Sequence, residues 1–177
     1  MRIITGSLGK RQFLSTKSRS THPMGDRVRS AMFNMLGDIS GLTVLDAYAG
    51  TGALSFEAIS RGAKHATLIE LEKPAQQIIQ QNIDLLGVAD KVTFIPGNCI
   101  GWSNRNEDVE FDLVFCDPPY DSVLITSIEK LARHVNAAGL LVLSWPKHVG
   151  VEEVGGFIVV QSRCYANATL VFYRRIR

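Results

Sequence analysis

The apolar run FDLVFC, Phe111 to Cys116, ends in Asp117-Pro118-Pro119-Tyr120: a carboxylate, two prolines and an aromatic ring in succession. At the end of a buried strand, these residue types suit methyl transfer to an exocyclic amino group of a base. Such an amine is a poor nucleophile because its lone pair is delocalised into the ring. An acceptor such as Asp117, helped by nearby backbone carbonyls, can hold the NH2 so that its lone pair faces an electrophilic methyl. Proline has no N–H and fixes φ, so Pro118 and Pro119 stiffen the turn and present carbonyls. Tyr120 offers a face for a flipped-out base. Taken alone, the tetrapeptide reads equally as an Asp-Pro turn closing a strand.

Residues upstream bear on that choice. VLDAYAGTGAL, Val44 to Leu54, reads as strand, acid, glycine turn and helix. Gly50 and Gly52 let the backbone approach a ligand and turn tightly. Such a turn also opens dinucleotide sites, but the full GxGxxG spacing is missing and Asp46 precedes it. An acid there repels a pyrophosphate and suits the ammonium of an amino-acid moiety, which points to S-adenosyl-L-methionine rather than NAD. Tyr48, Ala49 and Thr51 complete the turn as candidate cofactor contacts. Glu70 follows Asp46 by 24 residues, the place of an acid that holds a ribose diol. Leu71 would pack on the adenine, while Glu72 reads as surface or as the start of a helix. In Gly97-Asn98-Cys99, Asn98 is either an adenine-edge contact or a turn residue, with Cys99 beside it.

The elements that must position these groups alternate. Strands are expected over Thr43–Ala47, Ala66–Glu70, Val92–Pro96, Leu113–Asp117 and Leu140–Trp145. Helices are expected over Ala53–Arg61, Pro74–Leu86, weakly near Ile100–Asn104, and over Val123–Val135. Continuously apolar strands separated by helices predict a parallel sheet covered on both faces. Phe157–Gln161 and Ala168–Arg174 predict a closing antiparallel hairpin. The fold class is therefore α/β, Rossmann-like and doubly wound, with a mostly parallel seven-stranded sheet. Ligands of such sheets bind beyond the carboxyl ends of the strands, where the polar residues above gather.

The N-terminal end is different in charge. Residues 1–36 carry Arg2, Lys10, Arg11, Lys17, Arg19, Arg27 and Arg29 against Asp26 alone, or +6, so the remainder sums to −4 for a chain of net charge +2. A basic arm on an acidic domain suits a polyanion. We therefore divide the chain into an RNA-facing arm and helix, 1–36, and a catalytic domain, 37–177. Lys10, Arg11, Arg27 and Arg29 are the candidate RNA contacts. DRVRSAMFNML, Asp26 to Leu36, is predicted helical with Val28, Met32, Met35 and Leu36 inward and both arginines turned to solvent or ligand. Residues 7–25, basic and polar, are expected to order only with RNA. No apolar run reaches the roughly 18 residues a membrane span needs. Three scattered cysteines suggest reduced residues of a cytoplasmic protein. The histidines show no ligand spacing, so no metal is expected.

VLDAYAGTGAL, LIELE and FDLVFCDPPY resemble the successive motifs of class I S-adenosylmethionine-dependent methyltransferases, and the last is similar to that of enzymes acting on exocyclic amines. MRIITG, DRVRSAMFNML and the ending YANATLVFYRR together resemble the RsmD-type 16S ribosomal RNA guanine-N2 methyltransferases. The resemblance implies action on 16S ribosomal RNA, naked or in a small subunit; a monomer is expected. The chain departs from the family pattern at His22-Pro23-Met24-Gly25, Ser30, Gly9-Lys10-Arg11, Tyr48, and at Ser144, where a glutamate is usual. A DNA adenine-N6 methyltransferase is the alternative, although the chain has no insert large enough for a target-recognition domain.

Overall fold

Alternating apolar and amphipathic segments fold into one sheet with helices on both faces. The computed structural model describes residues 1–15, 24–119, 125–147, 151, 153–165 and 168–176. The elements are α1 (Asp26–Leu36), β1 (Thr43–Asp46), α2 (Ala53–Ser60), β2 (His65–Glu70), α3 (Lys73–Leu86), β3 (Val92–Pro96) and α4 (Cys99–Ser103), followed by β4 (Phe111–Cys116), α5 (Ile125–Ala132), β5 (Val135–Pro146), β6 (Phe157–Cys164) and β7 (Ala168–Arg175). The seven strands run in the order β3-β2-β1-β4-β5-β7-β6. β3 through β5 are mutually parallel, and β7 is antiparallel to β5 and β6. The expected doubly wound sheet and its closing hairpin are both present. The switch point lies between β1 and β4, whose chains continue to opposite sides of the sheet.

Strand alternation divides the core in two. Val44, Leu68, Leu113, Phe115 and Val142 point to the face covered by α1, α2 and α3. Leu45, Ile69, Val114, Cys116, Leu141 and Leu143 point to the other, under α4 and α5. Each fully buried side chain of this size contributes about 1.5–3 kcal/mol.

Two expectations change here. In α1 the buried residues are Arg29, Met32 and Phe33, with Val28, Met35 and Leu36 only partly buried. The helix is turned so that Phe33 meets Phe115 edge-on at 5.8 Å between ring centroids, and Arg29 comes inward with it. Residues 7–15 also have a fixed place. Arg2 pairs with Gln12 in an antiparallel bridge, and Ile3 and Phe13 enter the core. Phe13 packs edge-on against Phe56 of α2 at 5.9 Å. The buried Glu57 carboxylate accepts the Ile4 and Thr5 N–H groups at 2.7 and 3.1 Å. The arm is thus stapled to α2 through backbone donors, and its basic side chains take no part in that staple.

Candidate active site

Side-chain parity brings three acids together. Asp46 lies two residues beyond Val44, Glu70 two beyond Leu68 and Asp117 two beyond Phe115, so all three emerge on the α1–α3 face at the carboxyl edge of the sheet. Asp46 is 1% exposed. Ser55 in α2 donates to its Oδ2 at 2.8 Å, while its Oδ1 is buried without a partner. Burial, then repulsion from Asp117 and Glu70, pushes Asp46 up to about 7. Burial pushes Asp117 up to about 6 against a hydrogen bond from Ser144. Burial also raises Glu70 above the usual carboxylate range. None of the three joins an ion pair among the described residues. This is a pocket of negative potential that a cation would relieve.

The glycine turn is built around Glu70. Gly50 and Gly52 have φ of +55° and +83°. At Gly52 a Cβ would meet the Phe56 ring at 2.4 Å, whereas at Gly50 it would project into open space. The Gly50 N–H donates to Glu70 Oε2 and the Glu72 N–H to Oε1, each at 2.7 Å. Both oxygens keep lone pairs for further donors. Gln76 Nε2 donates to the carbonyls of Glu70 and Leu71, at 2.9 and 3.0 Å, fixing the chain where β2 leaves the sheet. Leu71, 57% exposed, is a large apolar side chain left uncovered beside that carboxylate.

Ala49 and Thr51 are buried. The Ala49 N–H donates to the Ile69 carbonyl at 3.0 Å, and the Thr51 carbonyl accepts from Asn82 Nδ2 at 3.2 Å. Asn82 also exchanges two hydrogen bonds with the Leu14 backbone, joining arm, α3 and glycine turn. Asn98, itself exposed, caps α4 by accepting the Gly101 N–H at 2.9 Å, so the turn role is realised. Tyr48 and the buried Cys99 lie close enough that each thiol or hydroxyl shifts the other, which sets the glycine turn beside α4.

Asp117 leaves the end of β4 partly buried, Pro118 is buried and Pro119 is exposed. Tyr120 lies outside the described residues. The basic candidates do not gather at this edge. Arg29 is 0% exposed: it donates to the carbonyls of Met24 and Arg2 and to Asp26, and faces Glu57 at 3.9 Å. That burial corrects its expected exposure to solvent or ligand. Arg11 donates to the Leu85 and Leu86 carbonyls that end α3, at 2.7 and 2.9 Å. Ser7 donates its N–H to Ser60 at the end of α2. Helices joining parallel strands run against them, so Lys10 and Arg11 sit at the edge opposite Asp117. Arg27 is exposed in the first turn of α1.

Sequence reasoning missed Ser55, Gln76, Asn82 and the bond from Ser144. A signal existed for two of them. Asn82 interrupts the buried face Ala75, Ile79, Ile83, Leu86, and Ser144 interrupts the run LLVLSW.

These residues fit S-adenosyl-L-methionine. The orphaned Asp46 Oδ1 awaits a cationic donor, Glu70 retains acceptor capacity for a diol, the open space at Gly50 admits close approach, and Leu71 offers an apolar face. Among the described residues no group of three His, Cys, Asp or Glu side chains is arranged to hold a metal ion, and no helix is long and apolar enough to cross a membrane.

Residues 1–174 match the family described as "Conserved hypothetical protein 95". Ribosomal RNA small subunit methyltransferase D of Buchnera aphidicola subsp. Acyrthosiphon pisum is 33% identical over 124 residues, which cover 70% of this chain and 64% of that relative. The chain thus spans less than two thirds of that curated relative. YlbH of Bacillus subtilis, provisionally an rRNA methyltransferase, is 27% identical over 183 residues and 99% of both chains. Among solved structures, yhhF from Escherichia coli, provisionally a methyltransferase, superposes with a TM-score of 0.89 at 27% identity, over 99% of this chain and 98% of its own.

Proposed function

The chain belongs to the conserved hypothetical protein 95 family, and from that premise we propose that it transfers a methyl group from S-adenosyl-L-methionine to the exocyclic N2 of a guanine in small-subunit ribosomal RNA. The observation that carries the proposal is the cluster of Asp46, Glu70 and Asp117 on one sheet edge, all three raised by burial and Asp46 further by repulsion from the other two, without an ion-pair partner among the described residues. A dinucleotide's phosphates would aggravate that repulsion. A ligand bearing an ammonium and a sulfonium would relieve it.

When bound, S-adenosyl-L-methionine supplies an electrophilic methyl on a cationic sulfur. Asp46 holds the ammonium through Oδ1, Glu70 the ribose hydroxyls, and Leu71 covers the adenine. Asn98 and Cys99 border the same ring. Asp117 and the Pro118 carbonyl accept the two N–H bonds of the target amine and turn its lone pair out of conjugation. Tyr120 stacks on the extruded base. Orientation supplies most of the acceleration, and Asp117 or water takes the proton as the new N–C bond forms. The names of the methyltransferase D relatives support ribosomal RNA as the substrate. Exposed Arg27 is the side chain proposed to touch it, and Lys10, exposed at the opposite edge, would meet only RNA that extends around the domain.

The test is uptake of labelled methyl from S-adenosylmethionine, with 16S RNA, small subunits lacking the modification, and duplex DNA as acceptors. Uptake by RNA or subunits alone is expected. Uptake by DNA, or by none of the three, would contradict the proposal.

A further inference from the structure

Ser144 stands in the otherwise apolar stretch of β5, Leu140 to Trp145, and is 4% exposed. A buried hydroxyl in a core strand is costly unless it is hydrogen-bonded. β4 and β5 pair in parallel, with Phe115 opposite Val142 and Cys116 opposite Leu143. One more step along both strands sets Asp117 beside Ser144. Phe115 and Val142 face α1–α3 whereas Cys116 and Leu143 face α4 and α5, so the next pair returns to the α1–α3 face. The register thus sets the Ser144 hydroxyl beside the Asp117 carboxylate, where it holds the carboxyl down against the rise from burial.

We propose that Ser144 is the positioning residue of the amine site: its hydroxyl donates to one carboxylate oxygen of Asp117, fixing the rotamer and leaving the second oxygen for the target amine. This rests on the function proposed above. Among the described residues, the other groups named around Asp117 are acids, a thiol and an aromatic ring. From β1 it faces Asp46, with Glu70 beyond on β2 and the Cys116 thiol beside it on β4. From α1 the neighbouring side chain is Phe33, packed on Phe115. Arg29 of α1 and Arg61, just past the end of α2, are turned to Glu57, at 3.9 and 2.8 Å, and Arg27 of α1 is exposed. A carboxylate among carboxylates needs a donor to stay ionised and aimed. Without one, Asp117 takes a proton and presents O–H where the amine needs an acceptor.

The test compares wild type, Ser144→Ala and Ser144→Thr. For Ser144→Ala, kcat should fall about ten- to hundredfold, the loss of one hydrogen bond to a charged group. The Kd of S-adenosylmethionine should stay within about twofold. The acid limb of the kcat profile should move to higher pH, and Ser144→Thr, which keeps a hydroxyl, should restore both. A readout independent of turnover is the carboxyl 13C titration of Asp117 in the cofactor-free protein, which should shift upward in Ser144→Ala alone. Unchanged kcat and an unchanged Asp117 titration would overturn the inference while leaving the methyltransferase reading intact. A wild-type enzyme that methylates no nucleic acid would instead overturn that reading, and this inference with it.

Discussion

The Gly50 N–H donates to Glu70 Oε2 at 2.7 Å, so the glycine turn after β1 and the acid ending β2 form one unit. Neither can move without the other. Replacing Glu70 with Ala removes the acceptor for two backbone donors and for the ribose together. The Kd of S-adenosylmethionine should rise by about tenfold or more, a loss of about 1.4 kcal/mol. Glu70→Gln, which keeps one acceptor oxygen, should lose less. Calorimetric titration of both variants checks the order.

Asp46 predicts a pH dependence. Its carboxyl is pushed up to about 7 in the folded protein from 3.8, so the folded state holds the proton longer than the unfolded chain. The stability associated with it is therefore full below about pH 4 and is lost as pH rises through about 7. A cationic ligand reverses the preference by favouring the carboxylate. Affinity for S-adenosylmethionine should rise with pH up to about 7 and then level off. Asp46→Asn should bind the cofactor at least about tenfold more weakly. Without cofactor at pH 8 it should be the more stable protein by about 1 kcal/mol or more, or about 2–4 °C in Tm. Equal or lower Tm in that variant would contradict the buried, orphaned carboxylate.

Glu57 holds the arm. It accepts the Ile4 and Thr5 N–H groups and pairs with Arg61 at 2.8 Å, with Arg29 at 3.9 Å. Glu57→Ala leaves the Arg61 guanidinium and the Ile4 and Thr5 N–H groups without their acceptor and should cost about 3–5 kcal/mol by denaturant unfolding. It should also expose residues 1–15 to proteolysis. Retained stability and an uncut arm would show that the arm is held otherwise.

Charge near the N-terminus should divide by position. Arg27→Ala, in the exposed first turn of α1, should weaken RNA binding and reduce the slope of log affinity against log salt by about 0.7–0.9. Arg29→Ala should act on stability, because Arg29 is buried against Glu57 and Asp26. Filter binding across salt concentrations, run beside thermal melts, separates the two.

The positions of these groups were unequally legible in the chain. Asp46, Gly50, Glu70 and Asp117 each lie within a few residues of the strand end that presents them, so local pattern sufficed. Arg29 was misplaced because an arginine in a helix is read as an exposed residue. Here three carbonyl and carboxylate partners and Glu57, 28 residues on, make burial tolerable. Ser55, Asn82 and Ser144 act across the fold, and only the register of neighbouring elements shows what they hold. The opposition of Lys10 and Arg11 to the site follows from helix direction, which charge counting ignores.

The most direct measurement is the identity of the methylated nucleoside. Small-subunit RNA methylated by the enzyme would be digested and its nucleosides separated by mass spectrometry, with the Asp117→Ala enzyme treated in parallel. The account predicts N2-methylguanosine from the wild type, and none from Asp117→Ala although that variant still binds S-adenosylmethionine. Methyl on a ring nitrogen, on a ribose or on another base, or full activity without Asp117, would contradict it.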